Sequence, residues 1–459
     1  MFVFLVAMVT SPMMAERVTP ETARKVATTF LTNNGAKTTQ LTDLSKTAGF
    51  QNLYIFNGNP GFVVMAADDR VQPILGYSLT NPFVAEGMPE NIRGWLQGYN
   101  DEIQYAVDNR ISTDAETTQL WKDLIEGNSK ATTTIIVDAL VKTKWDQDPR
   151  YNNLCPYSSY YSQLTVTGCV ATAMAQIMKY WDYPTTGIGS HSYIHEEYTD
   201  ANGYHQGFGE LSANFGATTY DWANMPNALS LSSSADQIKA VATLMYHCGV
   251  SVDMDYGVSS IGGSGTATSF VATALQTYFN YQSCTFKYKA DNEANWVNML
   301  KTELNAGRPL QYSGRGSGGG HSFVCDGYDS DNKFHFNWGW SGNNDGFYAL
   351  DNLVPGSGGS GGGSYSFTDN QGAIFGIQPK ACTAATPTNF NASAVGRSAV
   401  LSWDAVANAV SYAIYKNDLL IAFTPSQSSG AMARMANRIR MKYVRTIPTF
   451  LFADTSSLM

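Results

Sequence analysis

The chain has 459 residues, of which 15% are charged and 12% aromatic, with 41 glycines and a formal net charge of -9. That length calls for two to four domains, and that composition excludes a disordered or coiled-coil protein. The negative charge argues against a nucleic-acid partner, and after the N-terminus no stretch holds the ~18 apolar residues of a membrane span.

Residues 1–15, Met-Phe-Val-Phe-Leu-Val-Ala-Met-Val-Thr-Ser-Pro-Met-Met-Ala, read as the apolar core and cleavage end of a signal peptide, with the break after Ala15. No Lys or Arg precedes the apolar run, where a charged start is usual. The reading predicts export from a bacterial cell, to the medium, the periplasm or the cell surface. Residues 16–130 read as one unit. A helix is expected over Thr19–Leu31, opened by Thr-Pro-Glu, a good cap and first turn. Leu53–Phe56 and Gly61–Ala66 should pair as a hairpin around Asn57-Gly-Asn-Pro. The polar run from Glu126 to Thr134 has the character of an exposed, cuttable linker.

Residues 131–380 begin helical and end in strands. Val170, Met174, Ile177 and Trp181 recur at helical spacing, and Pro184 stops the run. Thr167 and Gly168 stand where the N-cap belongs, so Cys169 should face the free amides and positive end of that helix. Such a site is expected to lower a thiol pKa, more so beside a histidine. A second helix is expected over Ala235–Cys248. Strands follow at Leu310–Ser313, His321–Asp326, Phe334–Trp338, Gly346–Leu350 and Ala373–Ile377. His321 begins its strand after a glycine-rich loop, and Asn337 ends the expected partner strand, with Trp338 and Trp340 after it. A thiol, an imidazole and an amide able to orient it make a nucleophilic hydrolase. Taken singly, a cysteine in an apolar helix or a histidine on a strand is more often structural, and the joint pattern carries the reading.

Six cysteines in an exported chain invite a disulfide reading, but Cys155, Cys169, Cys248, Cys284, Cys325 and Cys382 are widely dispersed in a chain long enough to build cores without staples. Cys248 and Cys325 lie in apolar runs and are expected as buried thiols. From Cys382 the composition changes. The strands Ala399–Trp403 and Tyr412–Lys416 resemble the front half of a fibronectin type III module. A full sandwich of that kind needs about seven strands, and residues 384–425 supply three or four. Residues 426–459 form an atypical basic tail with no alternating pattern, which a shifted frame near Ser426 would explain.

Two formal motifs fail on context. Gly314-Arg-Gly-Ser-Gly-Gly matches a dinucleotide fingerprint, yet a strand follows where a helix must hold phosphate. Gly358-Gly-Ser-Gly-Gly matches a serine-hydrolase elbow, but sits in a low-complexity run with no strand before it. His191 and His195 share a spacing that binds metal on a helix, in a stretch that is not helical, so no metal and no cofactor are expected.

Three stretches, Thr167-Gly-Cys-Val-Ala-Thr-Ala with Ala175-Gln-Ile-Met-Lys-Tyr, Gly319-Gly-His-Ser-Phe-Val-Cys-Asp-Gly-Tyr and Asn337-Trp-Gly-Trp, resemble the streptopain family of papain-like cysteine peptidases. The resemblance covers roughly residues 16–380. It implies an α+β fold: a papain-like two-subdomain peptidase over 131–380 with an N-terminal α/β prodomain over 16–130, ahead of the incomplete β-sandwich-like segment 384–425. It also implies that Cys169 is the nucleophile and His321 its base, with Gln147 in Trp145-Asp-Gln-Asp-Pro as an oxyanion donor. Asn337 is expected to orient His321, with Trp338 shielding the contact, and sequence leaves open which of the two touches the imidazole. The prosegment would act as an intramolecular inhibitor, with the cut near Lys130–Ala131.

Protein and peptide substrates would be held largely through their backbone, by Ser264 and Gly320, with an apolar side chain preferred one residue upstream of the scissile residue. Arg315 departs from the family, where an apolar residue lines that pocket; either it points to solvent, or it lines the pocket and admits acidic or small residues there. A cell-wall amidase shares the cysteine and histidine, and an adhesion protein could keep the fold without the chemistry. The long prosegment and Asn337-Trp-Gly-Trp favour the endopeptidase, and the intact Cys169, His321 and Gln147 count against the adhesion protein.

Overall fold

The computed structural model describes residues 16–36, 40–128, 132–199, 203, 205–316, 319–350 and 369–380, together with the C-terminal stretches 391–395, 398–404, 411–416, 419–425, 431–434 and 444–447. The expected signal peptide, the cut near Lys130–Ala131, Cys382 and the Gly358 motif lie outside the described residues. The chain divides into two compact units: residues 1–134 with 316–318 and 346–368, and the remainder.

In the first unit the helix Pro20–Asn33 starts where its cap predicts: the Thr19 hydroxyl accepts from the Thr22 amide at 3.2 Å, and proline occupies the first turn. Ala23, Val26, Ala27, Phe30 and Leu31 form its buried stripe. The expected hairpin forms as Leu53–Asn57 against Phe62–Ala66. The sheet runs Thr42–Asp43, Leu53–Asn57, Phe62–Ala66, Ile74–Ser78, Gly346–Tyr348. Its last strand, Gly346–Tyr348, comes from the stretch expected among the peptidase strands. Phe347 pairs with Tyr77 and stacks on its ring at 5.3 Å, and the Ala349 amide donates to Leu75 at 2.9 Å. Sequence order cannot foresee this, because ladder partners are chosen by edge and register rather than by proximity in the chain. Helices Glu90–Asp108 and Ala115–Glu126 complete the unit.

The second unit holds the helices Cys169–Trp181, Ala235–Val250, Phe270–Tyr278 and Trp296–Asn305. Its sheet runs Phe334–Asn337, Gly319–Asp329, Leu310–Gly316, Asp369–Phe375, Thr285–Tyr288, with Ile135–Val137 paired to the far end of Gly319–Asp329. Helices on a mostly antiparallel sheet make the α+β class expected. The cysteine helix is buried on nearly all sides, from Val170 through Met178 and again at Trp181, so it forms the centre of the core. It ends at Asp182, in the left-handed conformation, with Pro184 beyond. Cys155, Cys169, Cys248, Cys284 and Cys325 are free thiols, and Cys248 and Cys325 are buried. His191 and His195 lie on a strand, His191–His195, and among the described residues no group of His, Cys, Asp and Glu could hold a metal ion.

The C-terminal stretches correct the reading of the tail. Four strands lie between Asn391 and Pro425, and two more, Ala431–Arg434 and Val444–Ile447, come from the stretch expected to have none. They form two three-stranded sheets, each with one tail strand at an edge. Edge pairing needs only main-chain donors and acceptors, so it leaves no alternation to detect. Leu401 and Trp403 are buried. No helix among the described residues is long and apolar enough to cross a membrane.

Candidate active site

Cys169 is the first residue of its helix, and Gly168 is the N-cap at φ 83°. A side chain at Gly168 would put its Cβ 2.8 Å from the Met254 sulfur and 3.1 Å from the Ser264 oxygen. Only glycine meets both demands, a left-handed backbone and a closely packed flank. Thr167 caps no amide. Its hydroxyl lies 2.8 Å from that of Thr172, which donates to the Gly168 oxygen at 3.0 Å. The chain entering the helix is pinned by the Thr167 amide to the Gln147 oxygen at 3.2 Å and by the Val166 amide to the Gly257 oxygen at 3.1 Å. Gln147 is thus strapped beside the start of the cysteine helix. It is buried, and its side-chain amide is committed to no hydrogen bond among the described residues.

His321 stands near the start of the strand Gly319–Asp329. The amide of the next residue, Ser322, favours the charged form of the Cys169 thiol, so the start of the histidine strand lies beside the nucleophile. The Trp340 ring lies 6.4 Å from the imidazole, centre to centre. Trp338, expected as the shield, is buried against Phe323 at 4.5 Å and Phe336 at 5.2 Å.

Asn337 is also committed elsewhere. Its Oδ1 accepts from Gln176 at 3.0 Å and from the Gly339 amide at 3.1 Å, and its Nδ2 donates to the Thr143 oxygen at 2.7 Å. Gln176 in turn accepts from the Thr143 hydroxyl at 2.9 Å and the Trp145 amide at 3.3 Å. This buried network ties the Gln147 segment, the cysteine helix and the loop bearing Trp338 and Trp340 into one piece. Gln176 was missed in the sequence. Its signal is a side-chain amide seven residues after Cys169 on a largely apolar helix, where burial demands partners.

The electrostatics reverse the expected shift of the thiol. Burial pushes the Cys169 thiol up, against the amides of Ser322, Val170 and Cys169 itself, which pull it down. Burial also pushes His321 down to about 4. The helix start is present, but desolvation outweighs it, and both groups are neutral in this form at neutral pH.

The substrate-contact residues separate. Gly320 is exposed beside His321. Ser264 is buried, accepting from the Gly257 amide at 3.0 Å and donating to the Val166 oxygen at 2.6 Å. The Arg315 backbone lies in the strand Leu310–Gly316, and its side chain is outside what the structure describes.

Comparisons with known proteins agree with this geometry. Residues 145–348 match the Peptidase C10 family, and residues 15–103 match the Spi protease inhibitor family. Streptopain from Streptococcus pyogenes is 36% identical over 344 residues, 72% of this chain and 81% of streptopain. The thiol protease/hemagglutinin PrtT of Porphyromonas gingivalis is 35% identical over 339 residues, 71% of this chain, and the match spans only 37% of PrtT. A solved fragment of Prevotella intermedia prointerpain A superposes with a TM-score of 0.56 at 32% identity, covering 74% of this chain and 99% of that fragment. A cysteine opening a helix against a histidine strand, in a chain that aligns with four-fifths of streptopain, means that this protein belongs to the peptidase C10 family of streptopain-type cysteine peptidases.

Proposed function

We propose that the chain is a cysteine endopeptidase made as a zymogen and exported, with Cys169 as nucleophile and His321 as general base. The observation that carries this reading is that Cys169 opens its helix while the Gln311 side chain bonds both Val170, the residue after Cys169, and Ser322, the residue after His321. His321 takes the thiol proton, and the thiolate attacks the peptide carbonyl carbon, moving the C=O pair onto oxygen. Gln147 and the Cys169 amide hold that oxyanion, and loss of one such donor typically costs about 10²–10³ in rate. Collapse breaks the C–N bond as the imidazolium protonates the leaving amine. Water, deprotonated by His321, then cleaves the thioester and restores the thiol.

Asn337 serves by anchoring the loop that carries Trp338 and Trp340. Gly320 offers its main chain to an extended peptide substrate. Ser264 contributes through its main chain, because its hydroxyl holds the Cys169 approach in place. The match of residues 15–103 to an inhibitor family supports residues 16–130 as an intramolecular inhibitor, released by a cut near Lys130–Ala131. The neutral thiol and imidazole suit a resting precursor, whose ion pair forms once the site is engaged.

Digestion of casein and of peptidoglycan by the processed protein, with Cys169→Ala as control, tests the reading. Casein should be cut and peptidoglycan left intact, with the control slower by about 10³-fold or more. Peptidoglycan cleavage without casein cleavage would assign an amidase, and an active control would remove Cys169 from the chemistry.

A further inference from the structure

Gln311 lies on the strand Leu310–Gly316, which neighbours the histidine strand on one side and Asp369–Phe375 on the other. It is fully buried, and its Nε2 donates twice, to the Val170 main-chain oxygen at 3.0 Å and to the Ser322 hydroxyl at 2.8 Å. The Ser322 hydroxyl reaches on to the Tyr312 oxygen at 3.4 Å. Val170 follows the nucleophile and Ser322 follows the base. One amide nitrogen therefore joins the first turn of the cysteine helix to the start of the histidine strand. The Oε1 of the same side chain is buried without a hydrogen-bond partner.

An unmet buried acceptor costs stability, so a packing role alone would be filled better by methionine or leucine. What an apolar side chain cannot do is hold two separate elements at hydrogen-bond distance through one atom. What is at stake is the placement of the Ser322 amide near Cys169, which favours the charged form of the thiol. That influence falls off with distance, so a slip of the strand along the helix start weakens it.

We propose that Gln311 is a positioning residue for the Cys169–His321 pair, holding the first turn of the cysteine helix against the histidine strand so that the Ser322 amide stays near Cys169. The inference rests on Cys169 being the nucleophile and His321 its base. Gln311 touches neither the sulfur nor the imidazole in this scheme. It acts through the Val170 main-chain oxygen and the Ser322 hydroxyl.

Gln311→Met keeps the length of the side chain and removes both donated bonds. Alkylation of Cys169 by iodoacetamide is followed across pH in the full chain, by mass spectrometry of the peptide that carries it, and peptide hydrolysis is measured after processing. The half-point of alkylation should rise by about one pH unit, and kcat should fall about tenfold with KM changed less than about twofold. Ser322→Ala, which removes the hydroxyl but keeps the amide, should move both readouts the same way by about a third as much on a logarithmic scale. An unchanged alkylation profile and kcat in folded Gln311→Met overturns the inference. Should that variant not fold, unchanged values in Ser322→Ala overturn it instead. Activity surviving in Cys169→Ala would sink the nucleophile assignment, whereas a Cys169-dependent enzyme indifferent to Gln311→Met sinks only the positioning role.

Discussion

Gln176 Nε2 donates to Asn337 Oδ1 at 3.0 Å, across 161 residues of chain, inside the core. The amide that sequence reasoning assigns to the catalytic imidazole is therefore spent on the cysteine helix. Through Gly339 it fixes the loop that places Trp340 against His321. Truncating either partner leaves a buried polar group unmet. Gln176→Ala and Asn337→Ala should each cost about 1–3 kcal/mol of stability. The double variant should cost less than the sum, with a coupling of about 0.5–3 kcal/mol. Urea unfolding of the four proteins measures this, and additive losses would show that the two side chains act independently.

Gly168→Ala should be worse than its size suggests. The φ of 83° strains any residue with a Cβ, and that Cβ would meet the Met254 sulfur at 2.8 Å. We expect a loss of about 1–3 kcal/mol and a fall in activity, since the displaced residue is the next neighbour of Cys169. Met254→Ala in the same chain should restore only part of the stability, because the backbone strain persists. A thermal midpoint equal to wild type in the single variant would refute the strain.

Asp345 should make folding pH-dependent. Burial raises its carboxyl to about 7, against the Trp338 amide that donates to it at 2.9 Å and the nearby His335. Its ordinary value is 3.8, so between about pH 4 and 7 the folded state binds a proton that the unfolded chain does not. Stability from this group therefore falls as pH rises through that window and then levels, by about 1.4 kcal/mol per unit at most. Asp345→Asn keeps an acceptor for Trp338 and removes the titration. Its stability relative to wild type should grow from pH 4 to pH 7, and parallel stability curves would exclude a raised carboxyl.

In the unprocessed chain the raised Cys169 thiol and lowered His321 imidazole leave little thiolate at neutral pH. Alkylation of Cys169 at pH 7 should accordingly be slow before processing and fast after it. Full-length Cys169→Ala should remain intact in pure buffer, while the wild-type chain converts faster per molecule as its concentration rises. Conversion of the variant by itself would point to another protease.

Ending the chain at Lys380 removes all six C-terminal strands. Nothing in the Cys169, His321, Gln147, Gln176 and Asn337 contacts described above draws on them. The truncated enzyme should keep kcat/KM on short peptides within about twofold. A large drop without unfolding would bring the tail into the working enzyme.

The local features of this protein are written in its local sequence. Thr-Pro-Glu starts the first helix, Asn57-Gly-Asn-Pro turns the hairpin, and Gly168 followed by an apolar stripe puts Cys169 at a helix start. Each depends on residues a few positions apart, so backbone preference and spacing suffice to read them. The motifs around Cys169 and His321 carry the family for the same reason. Which partner a polar side chain takes was decided only in three dimensions. Asn337 turns to Gln176 and Thr143, Gln311 bridges Val170 and Ser322, and Gly346–Tyr348 completes the sheet of the first unit. The charge state of the site was also a tertiary matter. A helix start lowers a thiol pKa by local geometry, but the water removed around Cys169 depends on every element packed about it, and that desolvation is the larger effect.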